Sequence, residues 1–217
     1  ESIFPLELVK SHKRDIEEGD YPYSCYNLAY DNKGEIIASP TTKKPILVFP
    51  IEKSSEDKSG AIQVWEEPDE EKDFCTTYFA SVDPVSEGKT TTSDSLCSIY
   101  VYKNATEVTR TTVSGDIEQF IEKDKIVAAW CGRFDDINKT HQRLELIIEW
   151  YNAWTIVENN ISLFIQHMIA RKKQRYLVPK QQILFLKDLG SNRTVYQEYG
   201  WKNTGTLFKS HLICRTT

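Results

Sequence analysis

Asp83 closes the strand-like run Thr76-Thr77-Tyr78-Phe79-Ala80-Ser81-Val82, and Glu158 closes a second, Trp154-Thr155-Ile156-Val157. A carboxylate at the tip of each of two core strands is a cradle for a hard divalent cation. Mg²⁺ prefers oxygen ligands and is commonly held by one or two carboxylates plus substrate phosphates. Two such ions, about 3.5–4 Å apart, can activate water and stabilise the leaving oxygen of a phosphodiester. Asp94 lies eleven residues after Asp83, at the start of the next strand-like run. If these two runs form a hairpin, Asp94 returns close to Asp83 and is the candidate third acid; Glu87, in the same turn, is a weaker one. The expected site is Asp83, Glu158 and Asp94 holding two Mg²⁺ or Mn²⁺ ions, and the expected chemistry is that of a metal-dependent nuclease. The same residues also have bland local roles, since Asp-Pro starts turns and Asn caps helices.

The elements that must position these acids are readable after residue 70. Thr76–Val82 is the first strand, Ser95–Tyr102 the second and Lys125–Cys131 the third, each rich in β-branched or aromatic residues. A polar loop is expected between the second and third. Leu144, Ile147, Ile148 and Tyr151 fall at i, i+3, i+4 and i+7, which predicts a helix over 140–153 with Thr140 as its N-cap. The fourth strand ends at Glu158. Asn160 is expected to cap a second helix, with Ile161, Phe164, Ile165, Met168 and Ile169 on one face. His167 falls off that stripe and reads as a surface residue. Leu177-Val178 is a brief fifth strand, and a last helix is expected from Thr206. The predicted fold class is α/β: a three-strand antiparallel meander extended by parallel strands and flanked by helices.

Residues 1–70 have a different texture. Leu6–Glu18 is a candidate amphipathic helix, Glu35–Ala38, Ile46–Phe49 and Ala61–Trp65 are short strand candidates, and 51–60 is a charged, serine-rich loop. The expected division is a connecting arm over 1–70 and a main domain over 71–217.

Hydrophobic residues make up 40% of the 217, enough for a real core, yet the apolar runs are far shorter than the roughly 20 residues of a membrane span. No membrane partner is expected. The net charge of −5 argues against tight nucleic-acid binding through the whole surface but not against binding through a local basic face. The densest such patch is Arg171-Lys172-Lys173-Gln174-Arg175; it would either track a phosphate backbone or simply be a solvated helix C-terminus. Five scattered cysteines without a CxxC pair argue against a zinc site and fit a reducing cytoplasm. The four histidines show no metal spacing, and no phosphate-binding GxxxxGK[ST] loop is present.

Three stretches carry a resemblance. They are Gly60-Ala61-Ile62-Gln63-Val64-Trp65-Glu66-Glu67-Pro68; Tyr78-Phe79-Ala80-Ser81-Val82-Asp83-Pro84 with Gly88 and Asp94-Ser95; and Tyr151-Asn152-Ala153 with Val157-Glu158-Asn159-Asn160. Together with Gly200-Trp201 and Asn203-Thr204, they resemble the nuclease domain of the large terminase subunit of tailed bacteriophages. That resemblance implies an RNase H-like fold and two-metal cleavage of concatemeric double-stranded DNA. Asp83 would bridge the metals, Glu158 would bind one and Asp94 would assist. It further implies portal and small-terminase partners in the intact protein, and the cytoplasm of a bacterial host. The family's third acid sits on a late helix. The segment from Thr206 to Thr217 carries no aspartate, so the expectation is a domain incomplete at its C-terminus. The alternatives are another RNase H-like nuclease of resolvase or transposase type, or a non-catalytic DNA- or portal-docking module.

Overall fold

The computed structural model describes residues 22–47, 57–88, 95–111, 117–122, 124–182 and 198–200. Four central strands are β4 (Tyr78–Asp83), β5 (Cys97–Lys103), β8 (Lys125–Gly132) and β9 (Trp154–Val157). Their spatial order is β8-β5-β4-β9. β4–β5 and β5–β8 pair antiparallel; β9 joins parallel to β4, with Val82 opposite Val157. A parallel bridge from Thr155 to Leu177 extends the sheet beyond β9. The expected meander with parallel additions is thus present as a mixed sheet.

The sheet does not stop at β8. β1 (Ser24–Tyr30), β2 (Ile36–Pro40) and β3 (Ile62–Val64) continue it through antiparallel pairing of β3 with β8, for seven strands in the order β2-β1-β3-β8-β5-β4-β9. The strand-bearing part of the expected arm is therefore hydrogen-bonded to the main domain. Leu6–Glu18 and the latter half of Ile46–Phe49 lie outside the described residues.

Alternation sorts the side chains onto two faces. Tyr78, Ala80 and Val82 of β4 are buried with Ile99 and Val101 of β5 and Val157 of β9. Helix α1 (Ile137–Tyr151) covers this face with Leu144, Ile147, Ile148 and Tyr151, and Phe164, Ile165 and Met168 of helix α2 (Leu163–Ala170) join the same core. The opposite face carries Phe79, Ser81 and Asp83 beside Tyr100, Trp154 and Ile156, and it is open: Tyr100 is 50% exposed and Ile156 38%.

Three local expectations are corrected. The polar loop between the second and third strands holds a separate two-stranded ribbon, β6 (Thr106–Thr111) with β7 (Ile117–Glu122). Its Ile117, Phe120 and Ile121 are all exposed, so among the described side chains no buried face imposes the alternation by which a strand is recognised. Helix α1 starts three residues earlier than expected, because Asp136 rather than Thr140 caps it and accepts from the Asn138 N–H at 2.9 Å. Thr140 is instead buried within the helix, and its hydroxyl accepts from the Phe134 N–H at 3.0 Å. Helix α2 begins at Leu163 without a side-chain cap, and Asn160 serves Glu158 instead. The helix expected from Thr206 lies outside the described residues.

Candidate metal centre

Parallel pairing of β4 and β9 brings Asp83 and Glu158 together. The register runs through Val82–Val157, and the Glu158 N–H donates to the Val82 carbonyl at 2.9 Å, carrying the ladder one step further. Because Val82 and Val157 both point into the core, the next pair, Asp83 and Glu158, falls on the open face. Neither acid is a core residue, and Asn160 Nδ2 donates to Glu158 Oε1 at 2.6 Å.

Three strands end at this edge of the sheet. β8 runs in the same direction as β4, and the register Asp83–Ser98–Cys131 places its C-terminus beside Asp83. Arg133, just past that terminus, lines a 480 Å³ cavity together with Asp83, Glu87, Ser95 and Ile161. Arg133 is only 5% exposed. Its proximity was available in principle, since any residue following the third strand of such a sheet lies at the acid edge, but no short-range pattern singles it out. Gly88 fixes the loop leaving Asp83 against the start of α1: a Cβ there would sit 2.0 Å from the Asp135 carbonyl oxygen. His141 of α1 supports the same loop through a bond to the Val85 backbone.

Asp94 lies outside the described residues, although its chain neighbour Ser95 lines the cavity. Among the described residues no group of three or more His, Cys, Asp or Glu is placed to hold a metal ion. Asp83 and Glu158 fit the hard-oxygen donor set of Mg²⁺ or Mn²⁺, as a pair of adjacent carboxylates with room for a phosphate beside one of them. Cys97, which also neighbours Asp83, offers no nucleophile: burial and then the Asp83 charge push its thiol well above the ordinary range, outweighing a bond from the Val85 backbone.

The basic run that follows α2 separates by position. Arg171 Nε and Lys173 Nζ each reach Glu145 at 2.7 Å, and Lys173 also reaches Glu149 at 2.6 Å. His167 Nε2 lies 2.6 Å from the other Glu145 oxygen, so the expectation of a surface histidine is corrected: it is half-buried against a carboxylate. The Tyr30 hydroxyl lies within hydrogen-bond distance of both Glu145 and Glu149, shares its proton between them, and accepts from Lys173. Glu145 is fully buried. Burial drives its carboxyl upward, but the bonds from His167, Lys173, Arg171 and Tyr30 prevail and hold it well below the ordinary range. The result is an ionic hub joining β1, α1 and the turn after α2. Lys172 and Arg175 are turned elsewhere, toward a second cavity at the opposite end of β9.

No protein family, curated protein or solved structure matches the chain. Among the described residues, no helix is long and apolar enough to cross a membrane.

Proposed function

We propose that this chain is a divalent-metal-dependent nuclease of RNase H-like type, the nuclease part of a phage DNA-packaging terminase. The observation that carries the reading is the placement of Asp83 and Glu158 side by side at the ends of parallel strands, with Asp83 lining a cavity. The order β8-β5-β4-β9, with only β9 parallel to β4 among the pairings of these four and α1 between β8 and β9, is also what the terminase resemblance implies.

In this reading Asp83 and Glu158 hold the metal, with Asp94 as the further ligand. When bound, Mg²⁺ or Mn²⁺ supplies an activated water and charge stabilisation for phosphodiester hydrolysis. The chain's own residues do the positioning. Asn160 fixes the rotamer of Glu158, and Gly88 and His141 hold the Asp83 loop against α1. Arg133 places positive charge in the cavity where a phosphate would be drawn toward two carboxylates. Double-stranded DNA is the proposed substrate, the portal and small terminase subunit are the proposed partners, and the host bacterial cytoplasm is the proposed setting.

The test is cleavage of plasmid DNA by the intact protein, which would supply the third acid that the terminase resemblance implies, with Mg²⁺ or Mn²⁺ and with EDTA. Asp83→Asn and Glu158→Gln should each lower metal-dependent cleavage at least about a hundredfold, in the range seen when a transition-state stabilising group is removed, with the far-UV circular dichroism unchanged. Cleavage at the wild-type rate in either variant, or cleavage that survives EDTA, would sink the reading. A preference for branched DNA would move it to the resolvase-type alternative, which shares the strand order.

A further inference from the structure

The second cavity, of 380 Å³, lies at the end of β9 remote from Glu158. Phe74, Trp154 and Tyr199 line it with aromatic rings, and Lys172 and Arg175 supply cations; no carboxylate lines it among the described residues. The Arg175 guanidinium is already stacked, 4.5 Å above the Tyr176 ring and 5.9 Å from the Phe74 ring. Aromatic planes beside cations are the combination that takes a base by stacking and its phosphate by charge.

The backbone supports this independently. Of the three non-glycine residues with positive φ among the described residues, two line this cavity: Cys75 at 67° and Lys172 at 60°. Side chains with a Cβ rarely adopt this conformation, and such strain tends to gather at ligand clamps. At Lys172 the left-handed turn separates neighbours in the basic run: Arg171 and Lys173 reach the Glu145 hub, while Lys172 faces the cavity.

We infer that this cavity is a nucleotide-binding site, taking an aromatic base against Trp154, Phe74 and Tyr199 and its phosphate on Lys172 and Arg175. The site does not depend on the metal-nuclease reading. It is, however, on the same face of the sheet as the acids: Trp154 and Glu158 are four residues apart on β9, about 13 Å at the usual rise of a strand. One strand of a duplex rises about 3.4 Å per nucleotide, so a strand at that spacing would reach both ends across roughly four nucleotide steps.

The experiment measures binding of a fluorescein-labelled dT12 single strand and, separately, of AMP to the full chain in EDTA, which silences any metal site. Wild type should bind the labelled strand. Arg175→Ala should weaken binding about tenfold, the scale of a lost charge-assisted hydrogen bond. Lys172→Gly is the complementary variant. It removes the cation and relieves the positive φ, so a loss of affinity accompanied by a higher melting temperature cannot come from misfolding. Tighter binding of dT12 than of AMP would identify the source as a nucleic-acid strand; equal binding would identify a free nucleotide. No detectable binding of either ligand, unchanged binding in both variants, or inorganic phosphate competing as well as AMP would overturn the assignment.

Discussion

The two ends of the β4–β9 strand pair are built by different means. At the acid end, backbone does the work: the ladder carries Glu158 to Val82, and Gly88 packs the Asp83 loop on α1. At the other end, side chains do it: the Glu145 hub under α1 draws off alternate members of a basic run, and the rest line the second cavity at this end. Backbone ladders fix positions whatever the pH. An ionic hub holds only while its carboxylate is charged, so the two ends should respond differently to charge, pH and mutation.

The largest expected effect tests the hub. Glu145→Ala would remove the buried carboxylate that Arg171, Lys173 and His167 share, a change that costs about 3 kcal/mol, the low end for a buried pair, because Arg171 is 44% exposed and Lys173 keeps Glu149. For a chain of this size that lowers the melting temperature by about 6–12 °C. A drop of under 2 °C in a thermal melt would show that the hub is ornamental and remove the contrast between the ends.

Asp83→Asn comes next. It should cost the hundredfold in cleavage described above, about 2.7 kcal/mol in transition-state terms, while dT12 binding in EDTA stays within twofold of wild type. Parallel loss of both activities would mean that the two ends are one site.

Acid should weaken the protein in two stages. Burial, and then the neighbouring His167, lower the His141 pKa to about 4 from 6.5, against a bond to the Val85 backbone. The unfolded chain therefore binds a proton that the folded chain refuses between those values. Stability should fall as pH drops through this window, by roughly 3 kcal/mol at full titration. Glu145, depressed in the folded state, contributes stability above its ordinary pKa of 4.5 and loses it progressively below. Urea midpoints at pH 7, 5.5 and 4 check the first stage, and His141→Phe should flatten it; a wild-type midpoint constant over that range would refute it.

The smallest effect sharpens the comparison in the opposite direction. Lys172→Gly should raise stability by up to about 1 kcal/mol, since glycine adopts positive φ without the penalty a side chain meets. A melt that moves down would deny the strain.

The four central strands were legible because each has a buried face or a sharp stop. The first two expected ranges, Thr76–Val82 and Ser95–Tyr102, lie one or two residues from β4 and β5, and Asp83-Pro84 marks the end that matters. The Asp83–Glu158 proximity followed from that strand order. The β6–β7 ribbon was not legible, because a strand whose Ile117, Phe120 and Ile121 are exposed shows no buried apolar period. The continuation of the sheet through β3 depends on Gln63 and Val64 meeting Ala129 and Ala128, a pairing between residues more than sixty positions apart that no local window contains. The fate of the basic run was hidden for a similar reason: its composition suggested one surface, but a single left-handed residue, Lys172, divides it between an interior carboxylate and a cavity.

The link from α1 to β9 has a further consequence. Only Asn152, in the left-handed conformation that closes the helix, and Ala153 separate Tyr151 from Trp154. That link acts as a ruler. One residue inserted there would shift β9 by one position, and a strand has only two phases: Glu158 would turn toward the core and Val157 outward beside Asp83. A two-residue insertion would restore the phase but move the carboxylate along the strand. The spacing between the end of the helix and Glu158 is therefore a length code, to which point substitutions within the link are blind and single-residue indels are not.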